Sequence, residues 1–123
     1  MRTLTNFIIE RSKSMMVAIK GMFLLIRTEH AIMAQSSLFL IFIALGFIFG
    51  ISRIEWVIQF SMIGLILATE GMNTAVEKLC DFIHPEYHKK IGFIKDISAG
   101  AVSFAVFFSI INAILIYYPH IFK

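Results

Sequence analysis

Five of the eight acidic residues of this 123-residue chain fall between Thr69 and Asp96, in the stretch TEGMNTAVEKLCDFIHPEYHKKIGFIKD. On a helix, Glu70, Asn73, Glu77 and Asp81 share one face and form a polar stripe fused to apolar sequence on either side. Carboxylates beside a lysine, with no His or Cys cluster, suit a hard cation such as Mg²⁺ and a phosphate-bearing ligand. Glu29, Glu70, Glu77, Asp81, Lys95 and Asp96, with Asn73, are the residues that can converge on such a ligand. Phosphoryl transfer requires positioning, charge neutralisation and a base near the acceptor hydroxyl, and this set can supply all three. There is no P-loop and no soluble-kinase signature.

The stripe begins inside apolar sequence. Glu55 and Glu70 bracket fourteen uncharged residues, fewer than the roughly twenty that cross a bilayer. A span beginning near Trp56 ends near Ala75, which sets Glu70 about 8 Å inside that end at about 1.5 Å per residue. A carboxylate within a bilayer is costly and usually faces a bundle interior. The plainer alternative is a surface helix whose acids face water. Gly71, Met72, Ala75 and Val76 continue the apolar face between the polar residues and argue against it.

The whole composition requires a membrane. The chain is 59% hydrophobic and 15% charged, with a mean hydropathy of +0.84, far from a soluble domain of this length. Its net charge of +3 would raise nucleic acid as a partner in a soluble protein, but no recognition motif carries it, and no nucleic-acid partner is expected. The single Cys80 excludes an internal disulfide and a Cys-rich metal site, and reads as a packing residue. Charges interrupt every apolar run near the N-terminus, so no signal peptide is expected.

These features predict an all-α membrane protein with one integral-membrane domain over residues 1–123. An amphipathic surface helix occupies 1–30, with Ile8, Met15, Ile19, Met22, Phe23 and Ile26 at helical spacing. Thr28, Glu29 and His30 break the pattern. Transmembrane helices follow at about 34–51, 56–76 and 97–118. Ala31 to Gln35 can extend the first, and the second continues as helix to about Ile83. Gly50 to Glu55 forms the turn between them, with Trp56 as an interfacial anchor. His84 and Pro85 end the second helix, PEYHKKIG is a charged loop in water, and Tyr117 to Pro119 mark the last exit. Ser98, Gly100, Ala101, Ser103 and Ala105 suit close packing of the third span, where Asn112 is expected to bond a neighbouring helix. His30 and His120 read as interfacial side chains, and His84 and His88 as loop residues.

Lysine and arginine set the orientation. Five lie in the N-terminal segment and four between Lys78 and Lys95, against Arg53 in the turn and Lys123 at the end. The positive-inside rule places the N-terminus, Glu29 and the polar stripe on the cytoplasmic side of the cell membrane, where ATP is.

The run Glu70-x-x-Asn73-x-Ala75-x-Glu77-x-x-x-Asp81, then Glu86-Tyr87-His88, then Lys95-Asp96-x-x-Ala99-Gly100-Ala101-Val102, resembles the prokaryotic integral-membrane diacylglycerol kinase and undecaprenol kinase family. The resemblance covers nearly the whole chain. It implies a Mg²⁺-dependent lipid kinase that moves the γ-phosphoryl group of ATP to the hydroxyl of a membrane lipid, diacylglycerol or undecaprenol. It makes Glu70 the catalytic base and Glu29 and Glu77 the metal ligands. Nucleotide binding falls to Glu77, Glu86, Tyr87, His88, Lys95 and Asp96, with Asn73 and Asp81 in support. It also implies a homotrimer with active sites shared between neighbouring subunits. The form around Lys95–Val102 leans toward the undecaprenol type, whereas Glu86-Tyr87-His88 occurs in the diacylglycerol type as well. Glu10, Val17 and Met33 depart from the family, standing where relatives often carry basic or aromatic contacts.

Two other functional classes fit the same stripe. One is a non-enzymatic small membrane protein or assembly factor in which the acids clamp helices together, and the other is a proton or ion pathway.

Overall fold

A computed structural model describes residues 3–123; Arg2, counted above among the N-terminal basic residues, lies outside the described residues. The chain forms four helices: α1 (Leu4–Thr28), α2 (His30–Phe49), α3 (Arg53–Ile83) and α4 (Lys89–Ile121). The last three are long and apolar enough to cross a membrane.

Each boundary has a local cause. Thr3 caps α1 by accepting from the Asn6 amide at 3.2 Å. Glu29 is extended (φ −104°, ψ 114°) and forms the elbow between α1 and α2; its carboxylate makes no cap bond and pairs instead with Lys78 of α3. Gly50 ends α2 in the left-handed region at φ 62°, which a side chain would strain. Ser52 and Glu55 then form a reciprocal capping box that starts α3. At its far end His84 caps α3 through its backbone amide to the Cys80 carbonyl, and Pro85 blocks continuation.

Three boundaries differ from the sequence reading. α3 begins at Arg53, inside the expected Gly50–Glu55 turn, because the Ser52–Glu55 capping box starts the helix there. The segment PEYHKKIG is helical from Lys89 onward, because the His88 side chain accepts from the Lys90 amide at 3.1 Å and caps α4 earlier than its charges suggested. Pro119 lies inside the last turn of α4 rather than after it.

Cross-helix bonds join α2, α3 and α4 into one bundle in which α3 runs antiparallel to both of the others and α2 also meets α4. Gln35 meets Glu70 at one end, and Gln59 Nε2 donates to the Phe42 carbonyl at 3.2 Å nearer the other. Between α3 and α4, Lys95 meets Asp81, Tyr117 donates to Gln59 Oε1 at 2.5 Å, with its hydroxyl also 3.1 Å from the Phe42 carbonyl of α2, and His120 pairs with Glu55 at 3.2 Å. The α3–α4 pairing is the most extensive, helped by Ala105, which is buried with Phe39 and Ile66. A second cluster joins Ile51, Ile116 and Tyr117. Trp56 lies so close to Gly46 that a Cβ there would come within 2.6 Å of the ring, and it stacks on Phe60. α1 buries none of its residues; toward its end Leu25 packs on Gly71 of α3.

Candidate functional site

The end of the bundle where α1 hands over to α2 and α3 to α4 gathers most of the polar side chains. Glu70 is the deepest of its carboxylates and is half-buried. Gln35, one and a half turns into α2, donates from Nε2 to Glu70 Oε1 at 2.8 Å. The Gln35 Oε1 atom is itself buried with no hydrogen-bond partner.

One turn further along α3, Asn73 donates from Nδ2 to Glu77 Oε1 at 3.1 Å, while its own Oδ1 is buried and unpartnered. Two orphaned amide oxygens thus lie beside the two central carboxylates. A buried acceptor left unsatisfied is costly, so such atoms mark places where a donor or a cation is received. Glu70 and Asn73 also line an open groove against α4, whose wall comprises Ala99, Val102, Ser103, Val106, Phe107 and Ile110. Ala99 and Ser103, in the third and fourth turns of α4, are the small residues of that wall.

Nearer the helix ends the charges are exposed. Lys78 Nζ sits 3.3 Å from Glu29 and ties the α1–α2 elbow to α3. Lys95 Nζ sits 2.6 Å from Asp81 and ties α4 to α3. The two lysines closest to Glu77 are therefore engaged with other acids, and Glu77 has Asn73 as its partner. Asp96 is exposed. The loop carrying Glu86, Tyr87 and His88 closes this end, with Tyr87 lying over Gly92 of α4. No group of three or more His, Cys, Asp or Glu side chains gathers into a metal cage among the described residues.

The structure joins Asn73 to Glu77, Lys95 to Asp81, and Glu29 to α3 through Lys78. It adds Gln35, which sequence reasoning passed over as a mere extension of the first span. The available signal was its position: it is the one amide side chain in the first turns of an otherwise uncharged run. Gln59 and Tyr117 were also missed, but their bond lies toward the far end and holds the bundle together.

Fold and site together define a multi-pass membrane protein with a half-buried carboxylate at one end of its bundle and a charged apron beyond it. The profile of the prokaryotic diacylglycerol kinase family matches residues 16–117, a range that includes all of the candidate site. An undecaprenol kinase from Bacillus subtilis is 34% identical over 87% of each chain. A diacylglycerol kinase from Haemophilus influenzae is 32% identical over 72% of this chain and 75% of that one, and one from Escherichia coli is 30% identical over 57% of each. The chain belongs to the prokaryotic diacylglycerol kinase family and is a lipid kinase of the diacylglycerol or undecaprenol kinase type, with ATP as the phosphoryl donor. Family membership selects the kinase over the assembly-factor and ion-pathway readings.

Proposed function

We propose that this enzyme phosphorylates undecaprenol, working as a homotrimer at the cytoplasmic face of the membrane. The observation that carries the reading of the reaction is the clamp of Gln35 on Glu70. A carboxylate fixed through one oxygen keeps the other free to take a proton, and the α3–α4 groove beside it suits a lipid tail. The choice of lipid is supported by the similarity to the B. subtilis undecaprenol kinase, which spans more of both chains than the similarity to the diacylglycerol kinases does.

In the reaction the lipid hydroxyl gives its proton to Glu70 as its oxygen bonds to the γ-phosphorus. The bond from that phosphorus to the bridging oxygen breaks, and ADP leaves with the electron pair. Lys95 and Asp96 address the nucleotide's phosphates and sugar, and Glu86 to His88 form the loop against it. Gln35 keeps Glu70 aimed, and Asp81 fixes Lys95.

The residues present fit Mg²⁺. Glu77, Glu29 and the orphaned Asn73 Oδ1 are all hard oxygen donors, and one or two carboxylates with nucleotide phosphates complete its preferred octahedron. When bound, the ion neutralises phosphate charge and orients the nucleotide. Lys78 then acts as the counter-charge that keeps Glu29 near α3 until metal and nucleotide arrive.

The trimer is supported by what one chain leaves uncovered. Among the described residues no large side chain is completely buried, and Phe104, Phe107, Leu115 and many other apolar residues stay exposed. Lipid or neighbouring subunits must cover them, and a neighbour would also enclose the exposed side of the charged apron.

A second lipid, diacylglycerol, is supported by the two relatives that carry that name and by the Glu86-Tyr87-His88 loop. Purified enzyme supplied with radiolabelled ATP and both lipids in the same bilayers decides between them. Label entering undecaprenol at a higher kcat/KM supports the proposal; preferential labelling of diacylglycerol overturns it.

A further inference from the structure

His84 stands outside every motif singled out above, and it is the only half-buried member of the five-residue connection 84–88, whose other residues are exposed. Its Nδ1 lies 2.6 Å from the Glu86 carbonyl oxygen. A carbonyl only accepts, so this nitrogen carries the proton. His88 has the opposite tautomer. Its Nδ1 accepts from the Lys90 amide at 3.1 Å, which leaves the proton of the neutral ring on Nε2 as a donor on this exposed side chain. The two imidazoles meet edge to face, with centroids 5.2 Å apart and planes at 67°.

We propose that His84 is a positioning residue for the nucleotide, holding the Glu86–His88 segment in its binding shape before MgATP arrives. This rests on the reading of Glu86, Tyr87 and His88 as the nucleotide loop. Three contacts fix that loop: His84 on the Glu86 carbonyl, the Lys90 amide on His88, and Tyr87 on Gly92. Of these, only the first comes from the α3 side. Pro85 restricts the backbone between His84 and Glu86, so a single side-chain bond suffices to set the turn. The ring of His84 also backs the ring of His88, keeping the Nε2 donor aimed at the acceptor-rich nucleotide. A loop ordered in advance binds more tightly because less freedom is lost on binding.

The test uses the full chain in bilayers containing undecaprenol, with MgATP and lipid titrated separately. His84→Ala should raise KM for MgATP by roughly 3- to 10-fold, the scale of one hydrogen bond, with the effect on KM rather than on kcat or on the lipid. His84→Asn should recover most of the loss, because its amide nitrogen stands the same number of bonds from the backbone as the imidazole Nδ1. His84→Phe, which keeps a ring without the donor, should behave like His84→Ala. An unchanged KM for MgATP in His84→Ala, a defect confined to kcat or the lipid, or no recovery in His84→Asn overturns the proposal. His88→Ala separates the two levels of the reading. It must raise KM for MgATP too; if it does not, the loop is not the nucleotide site and the role of His84 falls with it.

Discussion

Gln35 Nε2 donates to Glu70 Oε1 across 2.8 Å and thirty-five positions of sequence. This bond sets the orientation of the proposed base from a different helix, so the chemistry depends on how α2 packs against α3. Replacing Gln35 with Leu keeps much of the volume and removes the donor. Hydrogen bonds to charged groups contribute about 1.5–3 kcal/mol, so turnover should fall by roughly 10- to 100-fold. KM for MgATP should stay constant, since Gln35 lies away from the charged apron. Initial-rate kinetics on folded protein check this, and a rise in KM for MgATP without loss of turnover would contradict it.

Glu70→Gln preserves size and hydrogen bonding but cannot take the proton. Transfer should drop by about 10²–10⁴-fold, the usual contribution of a general base, while MgATP binding persists. Calorimetric titration of MgATP alongside the kinase assay separates the two. Near-native turnover would move the role to another carboxylate, with Asp96 the first to examine.

For the metal, Glu77→Ala should raise the Mg²⁺ concentration needed for half-maximal activity and slow turnover together. Glu29→Ala should do the same, and also release Lys78 from its 3.3 Å contact. Asn73→Asp, which turns the orphaned amide oxygen into a carboxylate oxygen and removes the donor to Glu77, should shift preference between Mg²⁺ and Mn²⁺ more than it changes ATP affinity at saturating metal. Titrations of both ions against the three variants test the assignment; an unchanged metal dependence in both alanine variants rules it out.

Lys95 and Asp81 are close but solvent-accessible, with side-chain exposures of 36% and 59%. Exposed pairs contribute at most about 1 kcal/mol. Lys95→Met should therefore change stability little and raise KM for MgATP strongly, whereas Asp81→Asn should give a smaller rise because it only loosens Lys95. A double-mutant cycle on KM should show the Asp81 effect vanishing in the Lys95→Met background. Equal effects that simply add would mean that Asp81 meets the nucleotide on its own account.

Topology can be read by thiol labelling. Cys80 is 5% exposed and should stay silent, which gives a clean background. Cysteine placed at Arg53 should react with an impermeant reagent from outside the cell, and cysteine at Lys89 only after permeabilisation. Both reacting from one side would overturn the orientation.

The sequence made α2 and the end of α3 legible because the signals there are local, whereas the start of α3 was placed three residues late, the Ser52–Glu55 capping box lying in the expected turn. Glu29 interrupts two apolar patterns, Gly50 supplies the left-handed residue, and His84–Pro85 ends a helix by sterics alone. The start of α4 was misread because Lys89 and Lys90 are as compatible with a solvated first turn as with a loop; the His88 cap that decides it is a side-chain geometry. Among the site residues, the stripe on α3 followed from helical periodicity. Gln35 did not, because a neutral amide in an apolar run carries no charge signal, and only the packing of α2 on α3 shows that it faces Glu70. The Tyr117–Gln59 bond, between residues 58 apart, was hidden for the same reason.

α3 runs unbroken from Arg53 to Ile83, and this continuity works as a spacer between two solvents. Glu70 and Asp81 are eleven positions apart on it, about 16 Å along the axis. That fixed offset sets the level at which an oil-soluble acceptor and a water-soluble donor meet. The same rigidity makes angular phase as important as height: one residue inserted between Glu70 and Asn73 would turn everything beyond by about 100°. The proposed proton acceptor would keep its place in the groove while the proposed metal and nucleotide contacts swung to another face. A change in the length of this helix would therefore uncouple the two halves of the proposed reaction, whereas an exchange of side chains leaves their spacing intact.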